Sequence, residues 1–395
     1  MNYTYTYGVI GSGRQGTAAA YDMARWGEAK KIILIDRDLS IAERAAKRVN
    51  RLIGSNVAEA QQAEVTDSTA LERKLAGVQA FVSAVPYYYN LDITRVAVKI
   101  KASMCDLGGN TDIVRQQHSY NDQARQAGIS LIPDCGQVPG LGSSLTVYTM
   151  GLLDEATDVY MWDGGLPQNP QPPFKYLLTF HVAGLTNEYA EPAIFLRNGK
   201  ITQVEPMSEL ETVEFPDSVG TLEAFVAGGG TSTMPWTFEG KLRTLQNLTL
   251  RYPGHYQQLR AFWDLDLWDQ KPVATAQGDV IPREVFHALY EPKVTFPNDL
   301  EKSKDIVLVR VKAIGKKDGH PAQAVVELVD RFDEQTGFTA MERTTGWDAA
   351  IVAEMMAHGQ TPRGAGGVES FVPVVPFMSE LRRRGFNVKE KVEKI

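Results

Sequence analysis

The sequence predicts an α/β protein: a Rossmann-type, doubly wound parallel sheet with an inserted α+β substrate domain built on a mostly antiparallel sheet. Three observations predict it. Short apolar runs alternate with helix-period stretches through about the first 150 residues. A glycine-rich turn stands where the first run meets the first helix, and Asn-Gly and Asp-Gly turns take over farther along the chain.

Thr4–Ile10, β-branched and aromatic, is a strand that runs into Gly11-Ser12-Gly13-Arg14-Gln15-Gly16 and an alanine-rich helix ending near Gly27. Ile32–Ile35 is wholly apolar, as a parallel strand buried on both faces must be. Ser40-Ile41-Ala42-Glu43 has the capping-box pattern and opens a helix with Ala45, Val49 and Leu52 on one side. Further strands fall at Ala80–Val85, Ser103–Leu107 and Ile129–Ile132, with a helix capped by Asn110 and closed by Gly128 before the last. After about residue 154, Asn198-Gly199 joins Ala193–Arg197 to Lys200–Glu205 and Asp318-Gly319 joins Ile306–Ile314 to Ala322–Val329, both as hairpins. Another strand is expected after Thr336-Gly337, and Trp263–Leu267 alternates like a strand with Asp264 and Asp266 on its solvated face. From Trp347 a helical face of Ala349, Val352, Ala353 and Met356 returns, ending at Gly359 and Pro362. The expected division is a dinucleotide-binding domain of residues 1–153 and 345–395 and a substrate domain of residues 154–344.

Composition narrows the class. Apolar residues make up 43% and charged residues 23%, enough for a large core. Lys and Arg number 41 against 48 Asp and Glu, a net charge of −7, and the longest basic block is Arg382–Arg384, which disfavours nucleic acid. Two cysteines fit a reducing compartment, no apolar run approaches a bilayer span, and Met1–Tyr7 lacks the features of a leader; a cytoplasmic protein is expected. The six histidines show no metal-binding spacing, and neither a nucleophile elbow nor a P-loop occurs, so no metal site is expected.

The glycine fingerprint follows a strand, opens a helix, and precedes Asp36 by twenty residues counted from Gly16. Gly11 serves the tight turn, Gly13 the approach of a pyrophosphate, and Gly16 the packing of helix on strand. The helix N-terminus, with Ser12, Arg14 and Gln15, would hold the pyrophosphate. Asp36 would accept the ribose hydroxyls and repel a 2′-phosphate, so NAD is expected over NADP; Arg14 and Arg37 pull the other way. Ala84-Val85-Pro86 and Leu107-Gly108-Gly109 end later strands at the carboxyl edge, where the cofactor lies. Asp134 ends another. Cys135 beside it is either a thiol in the substrate loop or a small buried hydrophobe, the second favoured because no basic neighbour is visible. His181 stands near Gly184 and several tyrosines in the second domain.

These residues resemble the saccharopine dehydrogenase-like family, and within it the L-lysine 6-dehydrogenases. The resemblance is carried by Gly11–Gly16, Asp106-Leu107-Gly108-Gly109, Ile132-Pro133-Asp134-Cys135-Gly136, Gly164-Gly165-Leu166-Pro167, Leu222-Glu223-Ala224-Phe225, Gly229-Gly230-Thr231-Ser232-Thr233 and Arg251-Tyr252-Pro253-Gly254. It implies NAD(P) in a cleft between the two domains, a small amino-acid substrate, and a homo-oligomer formed through the second sheet. Saccharopine dehydrogenases of this family carry an arginine that grips a substrate carboxylate, whereas the corresponding stretch here, Phe225–Ser232, has none. That departure implies a smaller substrate whose α-carboxylate meets N–H groups and hydroxyls of Gly229, Gly230, Thr231 and Ser232.

The expected reaction is NAD-dependent oxidative deamination of L-lysine at its ε-carbon, the semialdehyde closing to 1-piperideine-6-carboxylate. His181 and Asp134 are the candidates for the base, His181 first, with Asp134 then stabilising the iminium; Glu223 is a further candidate for holding an ammonium. Two alternatives stay open: reductive condensation of the saccharopine or carboxynorspermidine type, and a non-catalytic NAD sensor.

Overall fold

The computed structural model describes residues 4–216, 219–295 and 303–395; Met1–Tyr3, at the head of the segment read for a leader, lie outside the described residues. Strands β1 (Tyr5–Ile10), β2 (Ala29–Asp36), β3 (Ala58–Gln62), β4 (Ala80–Ser83), β5 (Ser103–Asp106) and β6 (Ser130–Ile132) pair in parallel. β1, β4, β5 and β6 are almost wholly buried because helices cover both faces of the sheet. β3, Ala-Glu-Ala-Gln-Gln, is too polar to be read from the sequence, and it survives as a strand because it sits at the sheet edge.

The second domain is built on β7 (Glu155–Pro167), β8 (Ala193–Arg197), β9 (Lys200–Val204), β10 (Glu211–Phe215), β11 (Gly220–Val226) and β12 (Thr244–Arg251). A small hairpin, β13 (Val273–Thr275) with β14 (Gly278–Val280), stands apart, and the long hairpin β15 (Asp305–Lys317) with β16 (His320–Arg331) completes the core of the sheet. Both the Asn198-Gly199 and the Asp318-Gly319 turn form as expected, with Asn198 and Asp318 at positive φ. Only β12 and β7 pair in parallel; the other described pairings in this sheet are antiparallel.

The C-terminal segment contributes to both sheets. Gly364–Ala365 (β17) pairs with β6 and completes the order β17-β6-β5-β4-β1-β2-β3, while Val388–Lys394 (β18) pairs with β16. The last strand therefore departs from the expected assignment of 345–395 to the first domain. The helix Asp348–Ala357 does lie against β4, β5 and the first helix, Arg14–Trp26, and is buried along almost its whole length.

Three local expectations are corrected. The helix Leu39–Ile53 is capped by Asp38, whose carboxylate accepts from Ser40 N at 2.8 Å, and not by Ser40. Trp263–Leu267 is no strand: it is the end of the helix His255–Asp264 and the turn after it, where Trp263 and Leu267, four residues apart, both pack on an aromatic cluster. Past Thr336-Gly337 no strand forms, because Thr339 and Glu342 close a capping box on Ala340–Glu342. Among the described residues no helix is long and apolar enough to cross a membrane.

Candidate active site

Strand order reverses between β1 and β4, and the glycine loop lies at that switch point, at the carboxyl end of β1. Each glycine can be tested by what a side chain there would meet. Gly11 has φ +90°, and a Cβ would stand 2.5 Å from Ala84 O; on Gly16 it would stand 1.9 Å from Gly11 O. On Gly13 it would meet nothing within 4 Å, and no side chain caps the helix N-terminus there. Two glycines thus hold the turn closed while the third leaves free N–H groups facing open space, which fits a pyrophosphate. Asp36 lies alongside, its carboxylate accepting from Ser12 N at 2.9 Å and Asp38 N at 3.0 Å.

Neighbouring residues expected at the cofactor divide. Ala84 and Val85 are half-buried beside Gly11, and Pro86 is exposed at the start of the turn Tyr87–Tyr89. Leu107 packs on the core; Gly108 N donates to Asp106, and Gly109 packs on the Tyr87 ring. Arg37 is exposed. Arg14, expected at the pyrophosphate, ion-pairs through its Nε with Glu342 at 2.8 Å. Gln15 turns away too, toward the Met341 carbonyl.

Asp134 lies where the two domains meet. It follows β6 at φ +60°, only 4% exposed, and Ser232 Oγ donates to its Oδ2 from the second domain. Its Oδ1 is buried without a partner. Burial first, then the nearby Asp106 charge, push its pKa up to about 7, against the Ser232 bond and the close Gly109 N–H, which lower it. Asp106 acts as a brace: it accepts from Gly108 N, Asp134 N and Gln117 Nε2 at 2.9, 3.2 and 2.8 Å. The backbone at residue 108 packs against this carboxyl, and only glycine fits there: a Cβ would lie 2.0 Å from Oδ1.

A narrow cavity of about 40 Å³, room for a few water molecules, lies two residues from Ser232, at Gly230, and does not include Asp134 in its lining. Gln137 enters from the first domain, Gly228 and Gly230 from the loop that carries Ser232, and Asp163, Asn247 and Arg251 from β7 and β12. Asp163 accepts from Asn247 Nδ2 at 3.0 Å and Gln137 Nε2 at 3.2 Å, and burial pushes its pKa up to about 6. Glu188, on the helix Val182–Ala190, faces the same space, its carboxyl pushed up to about 8 by burial. Arg251 Nε donates to Tyr189 OH at 2.6 Å and Nη1 to Leu250 O at 2.8 Å.

Several expected site residues do not join this group. His181 is exposed and caps its helix, Nδ1 accepting from Ala183 N at 3.2 Å, while its neighbour Phe180 lines the cavity. Glu223 accepts from Gly254 N and Tyr256 N at 2.9 and 3.2 Å, capping the helix His255–Asp264 instead of holding an ammonium. Cys135 is wholly buried with its thiol on Ile132 O, the hydrophobe reading, because the chain turns its side chain into the core. In the Gly229–Ser232 loop, Ser232 N donates to Gly229 O, Thr231 Oγ1 to Ile194 O and Ser232 Oγ to Asp134, so these three donors of the expected anion nest are already engaged.

The residues missed are Asp163, Glu188, Asn247 and Arg251. Asn247, Thr249 and Arg251 recur every second residue between Leu248 and Leu250, a period that puts polar groups on one face of a buried strand. An arginine therefore does reach the cavity, from one strand over, opposite Glu223 in the β11–β12 register. Its presence removes the absence of one from 225–232 as grounds for a smaller substrate.

A dinucleotide-binding parallel sheet facing a mixed sheet, with a buried carboxyl where they meet, defines a two-domain Rossmann-type nicotinamide-dinucleotide protein. The chain belongs to the saccharopine dehydrogenase family: residues 7–132 match the saccharopine dehydrogenase NADP binding domain and residues 136–386 the saccharopine dehydrogenase C-terminal domain. It is similar to saccharopine dehydrogenase (NADP+, L-glutamate-forming) of Saccharomyces cerevisiae, 20% identical over 90% of this chain and 94% of that protein. It is also 25% identical to the mitochondrial alpha-aminoadipic semialdehyde synthase of Bos taurus, over 80% of this chain but only 41% of that longer protein. In structure it resembles apo saccharopine dehydrogenase of Saccharomyces cerevisiae, with a TM-score of 0.78 at 19% identity over 99% of this chain and 100% of the other. The homospermidine synthase of Legionella pneumophila in complex with NAD has a TM-score of 0.68 at 10% identity, over 99% and 92%. Likeness at these identities establishes the shared fold.

Proposed function

We propose that the chain is an NAD-dependent dehydrogenase that oxidatively deaminates the ε-amino group of L-lysine. The observation that carries this reading is Asp134, a buried carboxyl with a pKa near 7, held by Ser232 at the join of the domains. An amine is protonated in neutral water and cannot release hydride from its carbon until it loses that proton. Asp134 Oδ1, buried and unpartnered, is placed to accept it. Once protonated there, the carboxyl is neutral, and Ser232 keeps it oriented. A nicotinamide dinucleotide held by Gly11–Gly16 and Asp36 would supply the acceptor for the hydride leaving the carbon that bears the amine. The iminium then adds water and loses ammonia, and the aldehyde condenses with the α-amine to 1-piperideine-6-carboxylate, with loss of water.

The glycine loop supports a dinucleotide, and Asp36 supports NAD: a second negative group, the 2′-phosphate, would approach its carboxylate. The engagement of Arg14 by Glu342 points the same way. A second reading, reductive condensation of an amine with an oxo acid, is favoured by Arg251, a natural partner for a second substrate's carboxylate, and by the names of the relatives. A panel of L-lysine, L-ornithine, saccharopine and diamines, assayed for NADH and NADPH formation, separates these. Lysine with NAD is expected to be fastest; saccharopine as the sole productive substrate would establish the second reading instead.

A further inference from the structure

We propose that Glu369 and His118 form the outlet for the proton that Asp134 takes from the substrate, Glu369 receiving it from Asp134 and His118 handing it to solvent. The outlet rests on amine oxidation at Asp134 as the reaction, and it serves any amine oxidised there.

The stoichiometry requires an outlet. A substrate ammonium loses one proton to Asp134, the free amine loses hydride to the dinucleotide, and the iminium with water gives an aldehyde and an ammonium ion. The balance is one proton released per turnover, and it rests on Asp134. That carboxyl is buried, so it is discharged through the protein before the next amine can be deprotonated. The charged groups acting on it are Asp106 and Glu369. Asp106 cannot serve: it is wholly buried, and both its oxygens are committed, to Gly108 N, Asp134 N and Gln117 Nε2.

Glu369 stands half-buried on the short helix Val368–Phe371. Thr233, the residue after Ser232, donates from Oγ1 to Glu369 Oε1 at 2.9 Å, and Thr237 Oγ1, one turn on, donates to the same oxygen at 2.6 Å. Consecutive hydroxyls of one loop thus hold the two carboxyls, Ser232 on Asp134 and Thr233 on Glu369. Both threonine bonds fall on Oε1, which leaves Oε2 to take a proton. Gly367 lets the carboxyl lie against its own loop, since a Cβ there would stand 2.3 Å from Oε2.

His118 completes the route. It ends the helix Thr111–His118, and Arg115, three residues earlier on the same face, lies over the Trp236 ring at 5.1 Å. That contact lays this face against the helix Met234–Phe238, which carries Thr237. The imidazole is half-exposed, yet its Nε2 is buried without a partner among the described residues. Glu369 is the charge that acts on it, and burial holds its pKa below the ordinary value, so the ring is neutral near pH 7 and gives up a proton readily. One nitrogen inside and a ring edge in water are what a proton shuttle needs.

The test uses the whole enzyme with NAD and L-lysine at pH 8, reading stopped-flow and steady-state NADH formation with and without imidazole in the buffer. Glu369→Gln, whose amide oxygen still accepts from both threonines, is expected to lower kcat about tenfold and leave kcat/KM within about twofold. It is also expected to show a first burst of one NADH per site at the wild-type rate, since only the discharge of Asp134 is slowed. His118→Ala should show the same burst, with kcat restored by imidazole. A wild-type kcat in both variants overturns the proposal, as does a loss without a burst, which marks a structural role. The carboxyl carbon resonance of Asp134, titrated without substrate or dinucleotide, reads the coupling apart from turnover: Glu369→Gln should move its midpoint to lower pH, because a charge that raises it is gone. If lysine is not oxidised, saccharopine replaces it in the same assay. If no amine is oxidised, the reaction assigned above falls while the titration still judges the outlet, an unmoved midpoint overturning it and a lowered one retaining it.

Discussion

Ser232 Oγ donates to Asp134 Oδ2 across 98 residues of sequence, joining the mixed-sheet domain to the loop that follows the last central strand of the parallel sheet. The other oxygen of Asp134 is buried and, among the described residues, accepts no geometrically well-formed hydrogen bond.

Activity should follow the ionisation of this carboxyl. With its pKa raised to about 7 by burial, kcat/KM is expected to rise with pH and level off above about 7. Asp134→Asn should lower kcat by about 10²–10⁴. Ser232→Ala removes a bond that favours the ionised form, so the rise should move to higher pH. A pH-rate profile of each variant checks this.

The same carboxyl has a cost in stability, with a definite sign. Its folded pKa lies above the unfolded value of 3.8, so the folded state keeps a proton that the unfolded chain releases. Wild-type stability therefore falls as pH rises from about 4 to about 7. Asn tolerates φ +60° and carries no charge, so Asp134→Asn should be more stable than wild type at pH 8 by up to about 4 kcal/mol, from about three pKa units at 1.36 kcal/mol each. The gain should vanish below about pH 4. Urea unfolding at the two pH values checks it.

The cofactor preference should reside in Asp36. Asp36→Ala is expected to raise KM for NAD about tenfold and to lower the NAD-to-NADP ratio of kcat/KM, because the carboxylate that excludes a 2′-phosphate is gone. An unchanged ratio would assign the preference elsewhere.

How much of this was legible in the sequence depends on whether the signal was local. The parallel sheet was, since strands buried on both faces read as short apolar runs and the glycine turn sits between strand and helix. The hairpins were, because Asn198-Gly199 and Asp318-Gly319 encode their own turns. The role of Glu223 was not: the N–H groups it caps, Gly254 and Tyr256, lie about thirty residues on, where no spacing rule reaches. Arg251 was visible as a marker of resemblance but not as a cavity residue, because its partners come from β7, from a helix and from the loop after β6. His181 looked chemical only through its neighbours in sequence; in space it faces solvent.

Arg384 should anchor the C-terminal helix Val374–Arg383. Its side chain is fully buried, pairing with Asp22 at 2.8 Å and Glu354 at 2.7 Å and also with Glu380. Arg384→Ala leaves buried carboxylates unpaired and is expected to cost about 3–5 kcal/mol. The urea midpoint measures it, and a change under about 1 kcal/mol would show the network relaxing into solvent.

The most direct measurement is the initial rate of NADH formation from L-lysine and NAD, taken across pH for wild type and Asp134→Asn side by side. The expected result is lysine-dependent NADH in the wild type, rising through about pH 7, with the variant folded and slower by at least about 10². No lysine-dependent NADH at any pH, or a folded variant as fast as wild type, would contradict it.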